Sequence, residues 1–485
     1  MTDTSSRTEA PTQQFTRSLS GFGVIILTLS VLSPGVSIFV SSNPILQQAG
    51  TGAALAFLIG SFVCFCQTSL IAELSAAYPT AGYDYAAIGH AVGDWAGATS
   101  YVNGIFSAPL FLNTSVVGIA LYLHPFGLAA SDQTLTFLMV GAVTALSLLN
   151  IRANEHITGV FMLIETVALL LVTAIGFWHA RPDAVRLIVH PVYVHQGLLA
   201  AAAIGVVGIA VNNAAWSLAG ASQATMFCED MKNPRSVGRI IMLAFALTVI
   251  LELAPVLSTV AGAHNLVKVL ADNAPFESFL SEYLPSFALK LVSAAIAIAI
   301  LNACLAGFVG LGRNVFAMAR TELFSGPINH ALTRLTTRTQ APWVAILFLG
   351  ATTALATFLP LYVKVLLLSG NYTILTLFYV WGVIAGRRSG RTGGPEHSYA
   401  SPLFPLMPIL GALFVVGEVT VLWLDPDVGR KSLFACSGAW LLAFCYYRFV
   451  LMRRPGGWKL RGPADIDAMV RLQDLPESAI REATL

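Results

Sequence analysis

Charge is what this sequence has least of. Only 11% of its 485 residues are Asp, Glu, Lys or Arg, against roughly 25% in ordinary globular proteins, and so few charges cannot cover a water-soluble surface of that size. The net charge of +2 at pH 7 offers no basic face to phosphates, which argues against a nucleic-acid partner. Cysteine is sparse too: Cys64, Cys66, Cys228, Cys304, Cys436 and Cys445 lie in or beside apolar runs without a C-x-x-C spacing, so packing suits them better than metal or disulfide. The nine histidines (90, 124, 156, 179, 190, 195, 264, 330 and 397) all fall in connections or at helix ends. An intramembrane enzyme would want a Ser-His pair or clustered ligands at depth, so no catalytic residue, metal or cofactor is expected. Gly393-Gly394 sits in a basic loop without a lysine-hydroxyl sequence, so no nucleotide site is expected either.

What is abundant is apolar: 56% of residues, with a mean hydropathy of +0.73. A hydrocarbon core of about 30 Å needs roughly 20 apolar residues in helix. About twelve segments qualify: 19–40, 52–77, 95–123, 134–152, 157–178, 199–227, 237–262, 287–319, 342–359, 361–386, 403–424 and 431–452. The expectation is an all-α integral membrane protein embedded in a lipid bilayer. Connections after spans six, eight and ten carry Lys232, Arg235 and Arg239, then Arg320, Arg334 and Arg338, then Arg387, Arg388 and Arg391; Arg453, Arg454, Lys459 and Arg461 follow the last span. The opposite connections hold few, so the positive-inside rule places both termini in the cytoplasm of a multi-pass protein of the cell (inner) membrane. Residues 1–18, polar and rich in Ser and Thr, read as a disordered cytoplasmic tail, and 453–485 as a second tail.

Two spans are interrupted. The first carries Ser33-Pro34-Gly35-Val36-Ser37 near mid-membrane. Proline removes an N–H and clashes with the preceding turn, so the helix should open there, and open backbone survives in lipid only if buried in protein or lining a polar cavity. A structural kink satisfied by hydroxyls is the alternative. The sixth span carries Trp216-Ser217-Leu218-Ala219-Gly220 at mid-length. Two interruptions five helices apart are what an inverted repeat would give, with half-helix N-termini facing an anion and unwound carbonyls accepting from an ammonium. An amino-acid-like zwitterion suits both ends.

Three segments carry a family resemblance. Glu73-Leu-Ser-Ala-Ala-Tyr78-Pro79-Thr80-Ala81-Gly82, then Glu229-Asp230-Met231-Lys232-Asn233-Pro234-Arg235, then Asn302 through Arg313 to Arg320 resemble, in order, motifs of the amino acid-polyamine-organocation (APC) superfamily, to which amino acid permeases belong. The resemblance implies a leucine-transporter-type 5+5 inverted repeat: residues 19–178, then 199–386, with helices 11 and 12 (403–452) added. It implies alternating access around helices 1 and 6, hence substrate contacts from Ser33, Pro34, Gly35, Val36, Ser37, Trp216, Ser217, Leu218, Ala219 and Gly220, and Trp216 is similar to a gating tryptophan of arginine/agmatine exchangers. The acidic residue that several relatives carry after the sixth-helix glycine is Ser222 here.

Residues 294–312 hold no Ser or Thr, so a sodium site of the kind found in this fold is not expected. Glu165, well inside span five, is costly to leave charged in apolar surroundings and becomes the proton-coupling candidate; Glu252 and Glu418 are weaker ones. No charged side chain falls mid-span in spans one, three or six, which favours a neutral amino acid or related small amine over a polyamine or dicarboxylate. The expected function is a secondary active transporter, a proton-coupled symporter or an exchanger. The alternatives are a nutrient-sensing receptor on the same fold and, less well supported, an intramembrane enzyme. Oligomeric state is not legible.

Overall fold

The computed structural model describes residues 19–460 apart from 81, 102, 124–130, 150, 203, 273, 396, 425, 427 and 428. The first expected tail and most of the second fall outside the described residues. Helices dominate, and the described strands are a single hairpin. Nine helical stretches among the described residues are long and apolar enough to cross a membrane, and two more apolar helices, Asp132–Leu146 and Trp343–Ala356, are shorter. Their outward faces are apolar: Leu163, Leu170, Phe434 and Leu442 are each more than half exposed. Such residues on a continuous outer belt would be a liability in water and are at home in lipid.

Two boundaries differ from the sequence expectation. Span six does not begin at 199, because Val192–His195 pairs antiparallel with Leu198–Ala201. Gln196 and Gly197 both have positive φ (50° and 77°), the geometry of a tight two-residue hairpin turn. The apolar run Leu198–Ala201 therefore belongs to a strand, and the helix starts at Ile204. Span four ends early, at Leu146, and the next helix starts at Ile151.

The first helix, Gly21–Leu32, is capped by Ser20, whose Oγ accepts from the Gly23 N–H at 3.0 Å. It stops at Ser33, a non-glycine residue at φ 47°, and resumes at Pro34, passing through a π-helical turn at Ser37–Ser41 into Ser42–Ala49. The sixth span is broken as well: Ile204–Ser217 gives way at Gly220 (φ 128°) to a 3-10 helix, Ala221–Asp230. Only glycine adopts such a φ without strain.

Around these breaks stand Gly52–Ala77, Ile151–Trp178, Val237–Gly262 and the 35-residue helix Ser286–Arg320. Ile151–Trp178 and Val237–Gly262 approach closely because Gly176 faces Ser258 and Gly262; a side chain at 176 would collide with the Ser258 backbone. Small residues at that contact substitute for the hydrophobic drive that lipid does not supply between helices. This packing brings one carboxylate from each helix, Glu165 and Glu252, to the interruptions.

Candidate functional site

The break in the first helix frees the backbone groups that a continuous helix would pair. Pro34 has no N–H to satisfy. The Gly35 N–H donates to Glu165 Oε1 at 2.5 Å, and the Ser33 hydroxyl donates to the same oxygen at 2.9 Å. The Val36 N–H donates to Ser33 Oγ at 3.1 Å. Glu165 is fully buried, and its Oε2 has no hydrogen-bond partner. Gly35 is required by this contact: a Cβ there would lie 2.9 Å from Glu165 Oε1 and 3.0 Å from its Cγ. The carboxylate thus sits on the N-terminus of the resumed helix, where backbone N–H groups and the helix dipole favour an anion.

The second break is tied to the first. The Ser37 hydroxyl donates to the Ser217 carbonyl at 3.1 Å, and the Ser217 hydroxyl donates to Glu252 Oε2 at 3.4 Å. Glu252 is fully buried, with Oε1 unpartnered. Each interruption therefore has a membrane-embedded carboxyl behind it, Glu165 from one flanking helix and Glu252 from another.

Between the breaks lies a cavity of about 120 Å³. Of the ten residues singled out from the sequence, Val36, Ser37, Trp216, Ser217, Ala219 and Gly220 line it. Ser33, Pro34 and Gly35 stand behind that wall, against Glu165, and Leu218 is wholly buried in the core. Trp216 packs with Leu110, Leu368 and Phe111 at the cavity's apolar side. The helices Ala108–Leu123, Ser286–Arg320 and Leu361–Arg388 complete the wall, contributing Thr114, Asn314 and Asn371 among others.

The motif residues fasten one end of the bundle. Glu73 accepts from Arg387 through both carboxylate oxygens (2.8 and 2.7 Å), from the Thr392 hydroxyl and from the Ser401 N–H. Glu229 takes both guanidinium arms of Arg320 (2.8 and 2.6 Å), and Asp230 pairs with Arg313 at 3.0 Å. Forked pairs of this kind fix geometry as well as charge. Leu19 docks between them, its N–H donating to the Asp230 carbonyl and its carbonyl accepting from Lys232.

Sequence reasoning missed two buried polar pairs. Lys364 Nζ donates to Asn113 Oδ1 at 2.6 Å, and Gln67 Nε2 donates to Glu418 Oε1 at 3.3 Å. Lys364, Gln67 and Glu418 are polar residues within apolar helices, a signal by itself, but their partners lie 251 and 351 residues away and need the packing to be found.

The sequence has counterparts among known proteins. The branched-chain amino acid permease BcaP of Lactococcus lactis subsp. cremoris is 24% identical over 459 residues, which cover 87% of this chain and 90% of that protein. An L-asparagine permease of Streptomyces coelicolor is 24% identical over 82% of this chain and 83% of its own length. The aromatic amino acid transport protein AroP of Escherichia coli K12 is 22% identical over 81% and 87%. The amino acid permease family profile matches residues 23–458. The chain belongs to the amino acid permease family, within the APC superfamily of membrane transporters.

Proposed function

We propose that the protein is a secondary active transporter that carries a neutral amino acid or related small amine by alternating access, with protons as the coupling ion. The observation that carries this reading is the charge-free cavity between two broken helices, with the buried Glu165 carboxyl on the Gly35 N–H. In this reading the segments Ser33 to Ser37 and Trp216 to Gly220 form the substrate site: Val36, Ser37, Trp216, Ser217, Ala219 and Gly220 face the bound molecule, Trp216 closes over it, Leu218 supports the wall from the core, and Ser33, Pro34 and Gly35, behind the wall, open to it when Glu165 moves off the Gly35 N–H.

Coupling follows from competition for one donor. Gly35 N–H is where a substrate carboxylate would be held at a helix N-terminus, and Glu165 occupies it. A proton arriving on Glu165 weakens that carboxyl as an acceptor and releases Gly35 for the substrate. Proton and substrate then enter together, which is symport; exchange results if the substrate-free site cannot reorient.

The architecture proposed with it is twelve crossings: two inverted five-helix repeats, 19–178 and 199–386, followed by 403–452. Both termini lie on the cytoplasmic face of the cell (inner) membrane, where the basic connections accumulate. Names of relatives support an amino acid as cargo, since BcaP, AroP and the L-asparagine permease are named for three different side-chain classes.

The test is uptake of radiolabelled amino acids by proteoliposomes holding the purified protein, with and without an inward proton gradient. Gradient-stimulated uptake that Glu165→Gln renders insensitive to the gradient supports the reading. Binding without flux would show a sensor, and gradient-stimulated uptake unchanged in Glu165→Gln would remove Glu165 from the coupling.

A further inference from the structure

One buried carboxyl away from the cavity lacks the bonds that a charged group in its place would need. Glu418 lies on the helix Leu406–Leu424, whose Leu413, Val416 and Trp423 are each more than half exposed on the lipid side. Its own side chain is buried against Gly52–Ala77 and Leu361–Arg388, where it meets Gln67 and Thr373. Neither Glu418 nor Gln67 lines the cavity between the breaks. Gln67 Nε2 donates to Glu418 Oε1 at 3.3 Å and to Thr376 Oγ1 at 3.4 Å. The two threonines have no proton to spare, because Thr373 donates to the Ser369 carbonyl at 3.1 Å and Thr376 to the Tyr372 carbonyl at 3.0 Å. Among the described residues the ion pairs run to Arg181, Arg313, Arg320 and Arg387, and none includes Glu418. Two neighbouring side chains therefore each end in an acceptor without a donor: Glu418 Oε2 and Gln67 Oε1 are both buried and both unpartnered. An ionised carboxylate only accepts, and one held in apolar surroundings by a single shared N–H, with no cation, is costly.

We propose that Glu418 is a resident proton site: its carboxyl keeps a proton on Oε2 and closes an acid–amide pair with Gln67. Gln67 N–H donates to Glu418 Oε1, and the Oε2 hydroxyl donates back to Gln67 Oε1. One proton taken from solution completes both orphaned atoms. The two groups already touch, both are planar, and the terminal torsions of Glu and Gln are soft, so a small rotation brings the second bond into line. The pair fastens Leu406–Leu424 to Gly52–Ala77, and its proton stays bound instead of moving with a cargo. Withdrawing that proton deletes one bond and leaves a buried charge uncompensated. Of the titratable side chains on the packed helices, Cys64, one turn before Gln67, interacts with the carboxyl, and its thiol lies 3.6 Å from the Thr68 hydroxyl. Glu73 is engaged with Arg387, Lys364 with Asn113, Tyr379 with Asp84, Cys436 with the Leu367 carbonyl and Arg430 with the Trp423 carbonyl; Ile204–Ser217 brings no titratable residue.

The experiment is infrared spectroscopy of the full chain in lipid, as a difference between the unsubstituted protein and Glu418→Gln, which cancels the contributions of Glu165 and Glu252. The expected result is the C=O stretch of a neutral carboxylic acid, shifted in D₂O and still present at about pH 8, far above the ~4.3 at which a free glutamate titrates. A carboxylate stretch in its place would overturn the proposal. Melting temperatures in detergent give a second reading. Glu418→Gln preserves two amide bonds and should melt as the unsubstituted protein does, whereas Gln67→Leu should melt several degrees lower. Exchanging the partners, Gln67→Glu with Glu418→Gln, moves the acid to the other helix and should restore both the melting temperature and the acid band. An exchanged protein as unstable as Gln67→Leu would contradict the pairing. The response of uptake to a proton gradient should survive in Glu418→Gln, and its loss would show a proton that exchanges during the cycle, against a resident one.

Discussion

At the scale of single residues, the account turns on Gly35 and Glu165. The contact leaves no room for a methyl group, since a Cβ at 35 would sit inside the normal separation from three Glu165 atoms. Gly35→Ala is therefore expected to displace the carboxyl and depress proton-stimulated uptake by about tenfold or more, equivalent to ~1.4 kcal/mol in transition-state free energy. The check is an initial-rate measurement in proteoliposomes alongside a size-exclusion profile showing the variant intact. Trp216 makes a different prediction. Its ring lines the cavity and packs on Leu110 and Leu368, so Trp216→Ala should raise the substrate Kd by roughly tenfold or more, read by scintillation proximity binding, while the melting temperature falls little. The pairing of Glu165 with Gly35 was not legible in the sequence, because 130 residues separate them and only the packing of Ile151–Trp178 against the break brings them together. Glu165 alone was legible, because an acid deep in an apolar run is conspicuous.

At the scale of elements, the two breaks are the feature the sequence expressed most clearly. Pro34 cannot donate and Gly220 takes a φ of 128°, so both interruptions follow from the chemistry of single residues. The left-handed Ser33 is less obvious: proline at 34 disfavours the helical conformation for its predecessor, yet the conformation that results is strained, at a cost of about 1–3 kcal/mol. The strain is held by the Ser33 bonds to Glu165 and the Val36 N–H. Pro34→Ala should let the helix run through, raising thermal stability in detergent while lowering uptake; a variant that is both less stable and fully active would contradict that. The hairpin at 192–201 was missed although Gln196-Gly197 is a turn signal, because the apolar Leu198–Ala201 reads as the start of the following helix. A short apolar run has no period of its own with which to declare itself strand or helix.

At the scale of the whole molecule, the family motifs do structural work at one end of the bundle. Glu73, wholly buried, accepts four hydrogen bonds that join Gly52–Ala77, Leu361–Arg388 and the loop at Ser401. Removing one member of a buried charged pair leaves the other uncompensated, so Glu73→Ala should cost about 3–5 kcal/mol and appear as a much lower melting temperature in detergent. Glu229→Ala should act alike through Arg320. These motifs were recognisable from sequence, but their pairings were not: Arg387 was legible only as one of the basic charges of a cytoplasmic connection, and Arg320, itself at the end of a motif, lies 91 residues from Glu229.

The central claim is that a small dipolar molecule sits between the two interrupted helices. Cryo-electron microscopy of the protein with saturating amino acid tests it most directly. The account predicts ligand density within hydrogen-bond distance of Ser37 and Ser217, with the backbone open at Ser33 and Gly220. Density bound elsewhere, or unbroken helices through both positions, would contradict it.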